Sequence, residues 1–180
     1  MFRRRRPQLP AIFLLGALPL IAWRVWVLSR SGDKPPENLP EGSYAVARID
    51  DRCTLVLTNG SRVRLLGVTD RNAQTPPFSA TQAAEIAAAA NKFLLERIAS
   101  QPVRIQYDRE RIDRENILRA YIFVADAKPG GELLLNEALI SAGWAVADRN
   151  AYFNESHKRR FHKAEDDARQ EKRGLWGMGD

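Results

Sequence analysis

Few side chains in this 180-residue sequence carry chemistry of their own, and each can be weighed by its neighbours. The single cysteine, Cys53, excludes an intrachain disulfide and has no histidine near it in sequence. As a small residue at the start of a strand it reads as a packed side chain rather than a reactive thiol. His157 and His162 lie in a helical segment at i, i+5, about 140° apart around the axis, which is not the i, i+4 spacing of a chelating pair. Tyr152 followed by Lys158, Arg159 and Arg160 puts an aromatic ring before a run of positive charge, a combination suited to a nucleic-acid strand or an acidic partner. Acids and an arginine gather around Asn59-Gly60: Asp50 and Asp51 before it, Arg64 and Asp70 after it.

The elements that must position these groups follow from periodicity. Runs at 54–58 and 62–68 flank Asn59-Gly60, a strong hairpin signal between alternating apolar runs, and 44–49 reads as a preceding strand. Ser79 and Gln82 form a capping box for a helix over 81–99, with Ile86, Ala90, Phe93, Leu94 and Ile98 on one face. Residues 103–107 and 118–124 read as two further strands separated by the charged turn DRERIDREN. A short helix over 133–142 stops at Gly143, and a longer one over 155–173 stops at Gly174. Three strands, a helix, two strands and two helices make an α+β arrangement.

Charge separates the chain into two parts. The formal charge is +6, from 28 basic and 22 acidic residues. Six arginines and no acid lie in the first thirty residues, so the remainder is neutral. A clustered positive surface, which non-specific phosphate binding needs, is therefore not implied for the folded part. After a basic tail over 1–7, an apolar run over 9–28 broken only by Arg24 is about long enough to cross a roughly 30 Å hydrocarbon core. Residues 8–29 are expected to be a transmembrane signal anchor with the N-terminus cytoplasmic and the rest extracytoplasmic; a cleaved signal peptide and a secreted chain are the competing expectation. Residues 30–42, rich in Pro, Gly and charge, read as a linker, and 43–177 as one domain.

The hairpin carries a family likeness. Its residues Asp51-Arg52-Cys53-Thr54, Arg64 within RLLG, and Thr69-Asp70-Arg71-Asn72 fall on the D-G-D-T, R-L-x-G and D-[TA]-P-E frame of the staphylococcal-nuclease (thermonuclease-like) family. Further on, Asn136, Glu137, Leu139, Gly143 and Ala145, and then Glu165, Ala168, Gly174, Leu175 and Trp176, occupy the places of that family's two C-terminal motifs. The sequence thus resembles the family over nearly all of its part beyond the leader. That resemblance implies a five-stranded OB-type barrel with three helices.

It also implies a reaction. The family cleaves phosphodiesters with calcium held by aspartates, a glutamate acting on water, and two arginines on the phosphate. In this sequence the two metal positions fall on Cys53 and Thr69, the glutamate on Asn72, and the second arginine on Ile117; only Arg64 is retained. A thiol is a poor partner for a hard cation, and an amide cannot take a proton from water. The vestigial frame is therefore Arg64 with Asp70 and Arg119. The expectation is a domain without cofactor or calcium-dependent hydrolysis, acting in binding or assembly through Arg64, Tyr152, Lys158, Arg159 and Arg160. Its partner would be a protein, an envelope polymer or a nucleic acid, and Arg64 is expected to meet an acid inside the barrel. The alternative is an active nuclease with calcium displaced onto Asp51 and Asp70, with Asp113 nearby. Arg119, about 6.5 Å along the strand from Ile117, would then serve the phosphate.

Overall fold

A computed structural model describes residues 39–51, 53–71, 75–126 and 130–178. The basic tail, the expected anchor, most of the linker and Asn72 lie outside the described residues. Among the described residues no helix is long and apolar enough to cross a membrane.

Five segments build the barrel. β1 (Gly42–Tyr44) and β2 (Val46–Asp51) are separated by Ala45 alone, yet β1 pairs with β6 (Val103–Gln106) and β2 with β3 (Thr54–Leu57). The sheet order β1-β6-β7-β4-β3-β2 therefore begins and ends on one bent strand, which closes it, with β4 at Arg62–Leu65 and β7 at Leu118–Ala125. Closure removes free edges, the usual reason small antiparallel sheets become barrels. All pairings are antiparallel except β4 with β7, which run parallel with Arg64 opposite Arg119. A short strand β8 (Glu132–Leu134) extends β7, and β5 (Val68–Thr69) pairs with β9 (Val146–Ala147) as a separate ribbon.

Among the described residues, three helices cover the barrel. α1 (Ala80–Ile98) starts at Ser79, whose side chain accepts from the Gln82 N–H while the Gln82 side chain accepts from the Ser79 N–H. That is the reciprocal cap expected from the sequence. Ile86, Ala90, Leu94 and Ile98 face inward and Phe93 is partly buried. α2 (Leu135–Ser141) is shorter at its start than periodicity predicts, because residues 132–134 pair as β8 before the chain turns helical. α3 (Glu155–Gln170) also ends early, and a 3-10 turn at Gly174–Gly177 follows it. The hairpin loop is wider than two residues: Leu57 N–H donates to Ser61 O, and Ser61 N–H to Asn59 Oδ1.

The last residues of the segment read as linker are part of the domain. Leu39 is buried in the core and Glu41 Oε1 accepts from the Tyr107 N–H at 2.8 Å. Gly67, at φ +74, lets the chain leave β4 and enter β5; a Cβ there would lie 2.6 Å from Phe153 Cζ.

One buried side chain joins helix to barrel. Asn136 on α2, fully buried, donates through Nδ2 to Leu66 O at 2.9 Å and Ala120 O at 3.1 Å, and its Oδ1 accepts from the Ile122 N–H at 2.9 Å. Truncating it strands buried donors and acceptors, each costing about 1–3 kcal/mol. Asn136→Ala is expected to lose about 3 kcal/mol or more, read as a lower midpoint in urea unfolding with an unchanged slope.

Candidate functional site

β4 and β7 deliver two arginines to one cleft of about 840 Å³. Its walls are the ends of these strands, the turn into β5 at Val68 and Thr69, the loop 108–117, and residues 148–152 after β9. The loop folds on its own acid. Asp113 Oδ1 accepts from the Glu115 and Ile117 N–H groups, both at 2.9 Å, and the Asp113 N–H donates to Ile117 O. An aspartate bonding forward to its own backbone is a turn device, and Asn116 takes the positive φ of 60° that the turn needs.

Arg64 meets two acids, as the sequence implied, through its two terminal nitrogens. Its Nη1 donates to Asp113 Oδ2 at 2.6 Å, its Nη2 to Glu115 Oε2 at 2.8 Å, and its Nε to Thr54 Oγ1 at 3.3 Å. Burial alone would lower the Arg64 pKa; the Glu115 hydrogen bond and the charges of Asp113, Glu115 and Asp51 outweigh it and raise it. Arg119 has two carboxylates only at 3.8 Å, Glu110 from Nη1 and Asp148 from Nη2. Asp148 Oδ1 is occupied by the N–H groups of Asn150 and Ala151.

Two of the positions that depart from the family's pattern offer a hard cation no side-chain oxygen. Cys53 is buried in the main core, its carbonyl accepting from the Leu65 N–H. Ile117 is buried and leaves no charge where a second arginine would stand. Asp51 Oδ1 accepts from the Cys53 N–H at 2.8 Å, which ties it to the hairpin, and Asp70 Oδ1 accepts from the Thr69 hydroxyl at 3.5 Å. Asp51 and Asp70 do not line the cleft, whereas Asp113 does. Among the described residues no three His, Cys, Asp or Glu side chains come together to hold a metal ion. The residues present do not fit calcium held in the family's way.

The tyrosine and the basic run separate. Tyr152 lines the cleft and its hydroxyl accepts from Arg109 Nη1 at 2.8 Å. Lys158, Arg159 and Arg160 lie on α3 and line no part of the cleft, and Arg160 pairs with Glu137 of α2. His157 stacks on Tyr121 with centroids 4.3 Å apart, while burial and then the charge of Arg149 depress the pKa of His162. The two imidazoles sit in different surroundings, as their spacing requires.

Sequence reasoning missed Glu110, Glu115, Asp148 and the hub at Asp108. The charged turn DRERIDREN marks the loop but does not say which acid meets which arginine. Asp108 Oδ2 accepts from the Tyr121 hydroxyl at 2.5 Å and the Asn154 N–H at 2.7 Å, joining the loop, β7 and the cap of α3. Burial would raise the Asp108 pKa, but the Tyr121 hydroxyl, the Asn154 and Arg109 N–H groups and the Arg109 charge lower it below the usual value. An acid depressed in the fold contributes stability that is present above its unfolded value and lost as pH falls through its folded value. Tyr121→Phe is therefore expected to raise the Asp108 carboxyl pKa in an NMR titration. The stability deficit of the variant should be full at pH 7 and shrink once pH falls below the carboxylate range.

Comparison with known proteins agrees with this architecture. The family model described as Staphylococcal nuclease homologue matches residues 62–178, beginning after the strand that follows Cys53. The chain is 26% identical over 144 residues to a thermonuclease of Staphylococcus hyicus, covering 77% of this chain and 78% of that one. It is 27% identical over 139 residues to a thermonuclease of Staphylococcus intermedius, covering 74% and 76%. With its bent strand closing a mixed barrel, its three helices and a family match over most of its length, the chain belongs to the staphylococcal nuclease homologue family.

Proposed function

We propose that this domain does not hydrolyse phosphodiesters by the family's calcium route and serves as a binding module. The observation that carries the reading is Cys53: the first metal position holds a thiol packed in the core. Calcium takes six to eight oxygen ligands, and a buried thiol supplies none. Two further features support it. Arg64 already pairs with Asp113 and Glu115, and Ile117 is apolar. Removing one preorganised donor typically costs about 10²- to 10³-fold and a general base about 10²- to 10⁴-fold. These losses do not add within one machine, but each alone would leave a weak enzyme.

The leader sets where such a module works. Its four clustered arginines followed by a twenty-residue apolar run support a single-pass anchor with the domain outside the cytoplasm, where a protein, an envelope polymer or a nucleic acid would be the partner. An intact mass that includes residues 1–28 in the membrane fraction is expected; a mature chain lacking them would establish cleavage instead.

The activity test is direct. Full-length protein incubated with single-stranded and duplex DNA in calcium is expected to release no acid-soluble nucleotide above buffer. Calcium-dependent release that Arg64→Ala abolishes would establish the active-nuclease alternative, with the ion on displaced ligands such as Asp51 and Asp70.

A further inference from the structure

Arg64 and Arg119 are register partners on adjacent parallel strands about 4.8 Å apart, and both line the cleft. Two like charges so placed repel unless each is compensated. The compensation is uneven. The Arg119 side chain is only 14% exposed, yet among the described residues its guanidinium makes no hydrogen bond, and its two carboxylates stand at 3.8 Å. Its N–H donors therefore have acceptors nearby but none at hydrogen-bond distance, which leaves them available to an entering anion.

The acids on Arg64 are also unequal. Asp113, 12% exposed, is fixed by its own turn and cannot leave without unfolding the loop. Glu115 is 68% exposed, and its carboxylate is held only through Arg64 Nη2 among the described residues. An ion pair so exposed contributes little and exchanges readily with solvent.

We propose that Glu115 is a built-in competitor: its carboxylate covers an oxyanion site formed by Arg64 Nη2 and the underused guanidinium of Arg119, and a phosphate group enters by displacing it. Asp113 keeps Arg64 in place throughout, so the loop need not open. With Glu115 in place, four carboxylates face three arginines in the cleft lining, a balance that disfavours an anion; neutralising Glu115 makes the two signs equal. The proposal rests on reading the cleft as a binding site.

Calorimetric titration of the full-length chain with inorganic phosphate at low ionic strength tests it, with a short single-stranded oligonucleotide as a second arm. Glu115→Gln is expected to bind phosphate at least tenfold more tightly than the unaltered chain. Adding Arg119→Gln should return affinity to the starting level, and Arg119→Lys, which keeps the charge and most of the packing, should retain part of the gain. A matching gain with the oligonucleotide assigns the ligand to polymer-borne phosphate, and a gain with phosphate alone assigns it to the free ion. Equal affinity of Glu115→Gln and the unaltered chain, or a gain that survives Arg119→Gln in a folded protein, overturns the proposal. Cleavage of DNA by Glu115→Gln would instead overturn the non-catalytic reading while leaving the competitor role standing.

Discussion

The carboxamide of Asn136 is the contact on which the rest of the molecule turns. It reaches from α2 to the carbonyl of Leu66, just past the end of β4, and to both the carbonyl of Ala120 and the N–H of Ile122 in β7. Parallel strands need a long crossover and pair somewhat less stably than antiparallel ones. Here the crossover runs through α1 and β6, and a single amide with both its donors and its acceptor used reinforces the pairing from outside. Because the β4–β7 register fixes Arg64 opposite Arg119, a side chain that touches neither arginine decides that both open on one cleft.

A second buried polar group plays the same part at the other wall. Glu165 on α3 is fully buried and accepts from the Ala147 N–H at 3.2 Å, with Arg149 Nη2 at 3.7 Å. It fastens β9 to the helix, and β9 holds β5, so the turn that carries Thr69 is located by a helix far along the chain. Buried charges are worth keeping only when their bonds are made, and they then fix one geometry among several. Asp108 completes the set from the loop side.

How much of this was legible depends on the range of the interaction. Asn59-Gly60, the Ser79 capping box and the apolar stripe of α1 are local signals, and the structure follows them, with a hairpin loop wider than the Asn-Gly pair alone. The two-residue strands β5 and β9 are too short for any period to register. β8 is hidden because Leu134 ends a strand and begins a helix with no side-chain cap between them. Arg64 was expected to meet an acid, and it does. Which acid was not legible, since Asp113 and Glu115 lie about fifty residues away and reach it only through the parallel pairing. The likeness to a family marks Cys53 and Ile117 as departures from its pattern; only packing shows that both side chains are buried.

The entry of the chain into the barrel has a mechanical consequence. Leu39 is already in the core, Glu41 is bonded to Tyr107, and Gly42 begins the strand that closes the sheet. Within the described residues, Leu39 to Gly42 run into the barrel seam without slack. A pull applied there loads the β1–β6 ladder first, and a seam that yields opens the barrel while β2 stays paired with β3. The closure of the barrel, rather than any outer helix, is therefore what first bears tension entering from this end.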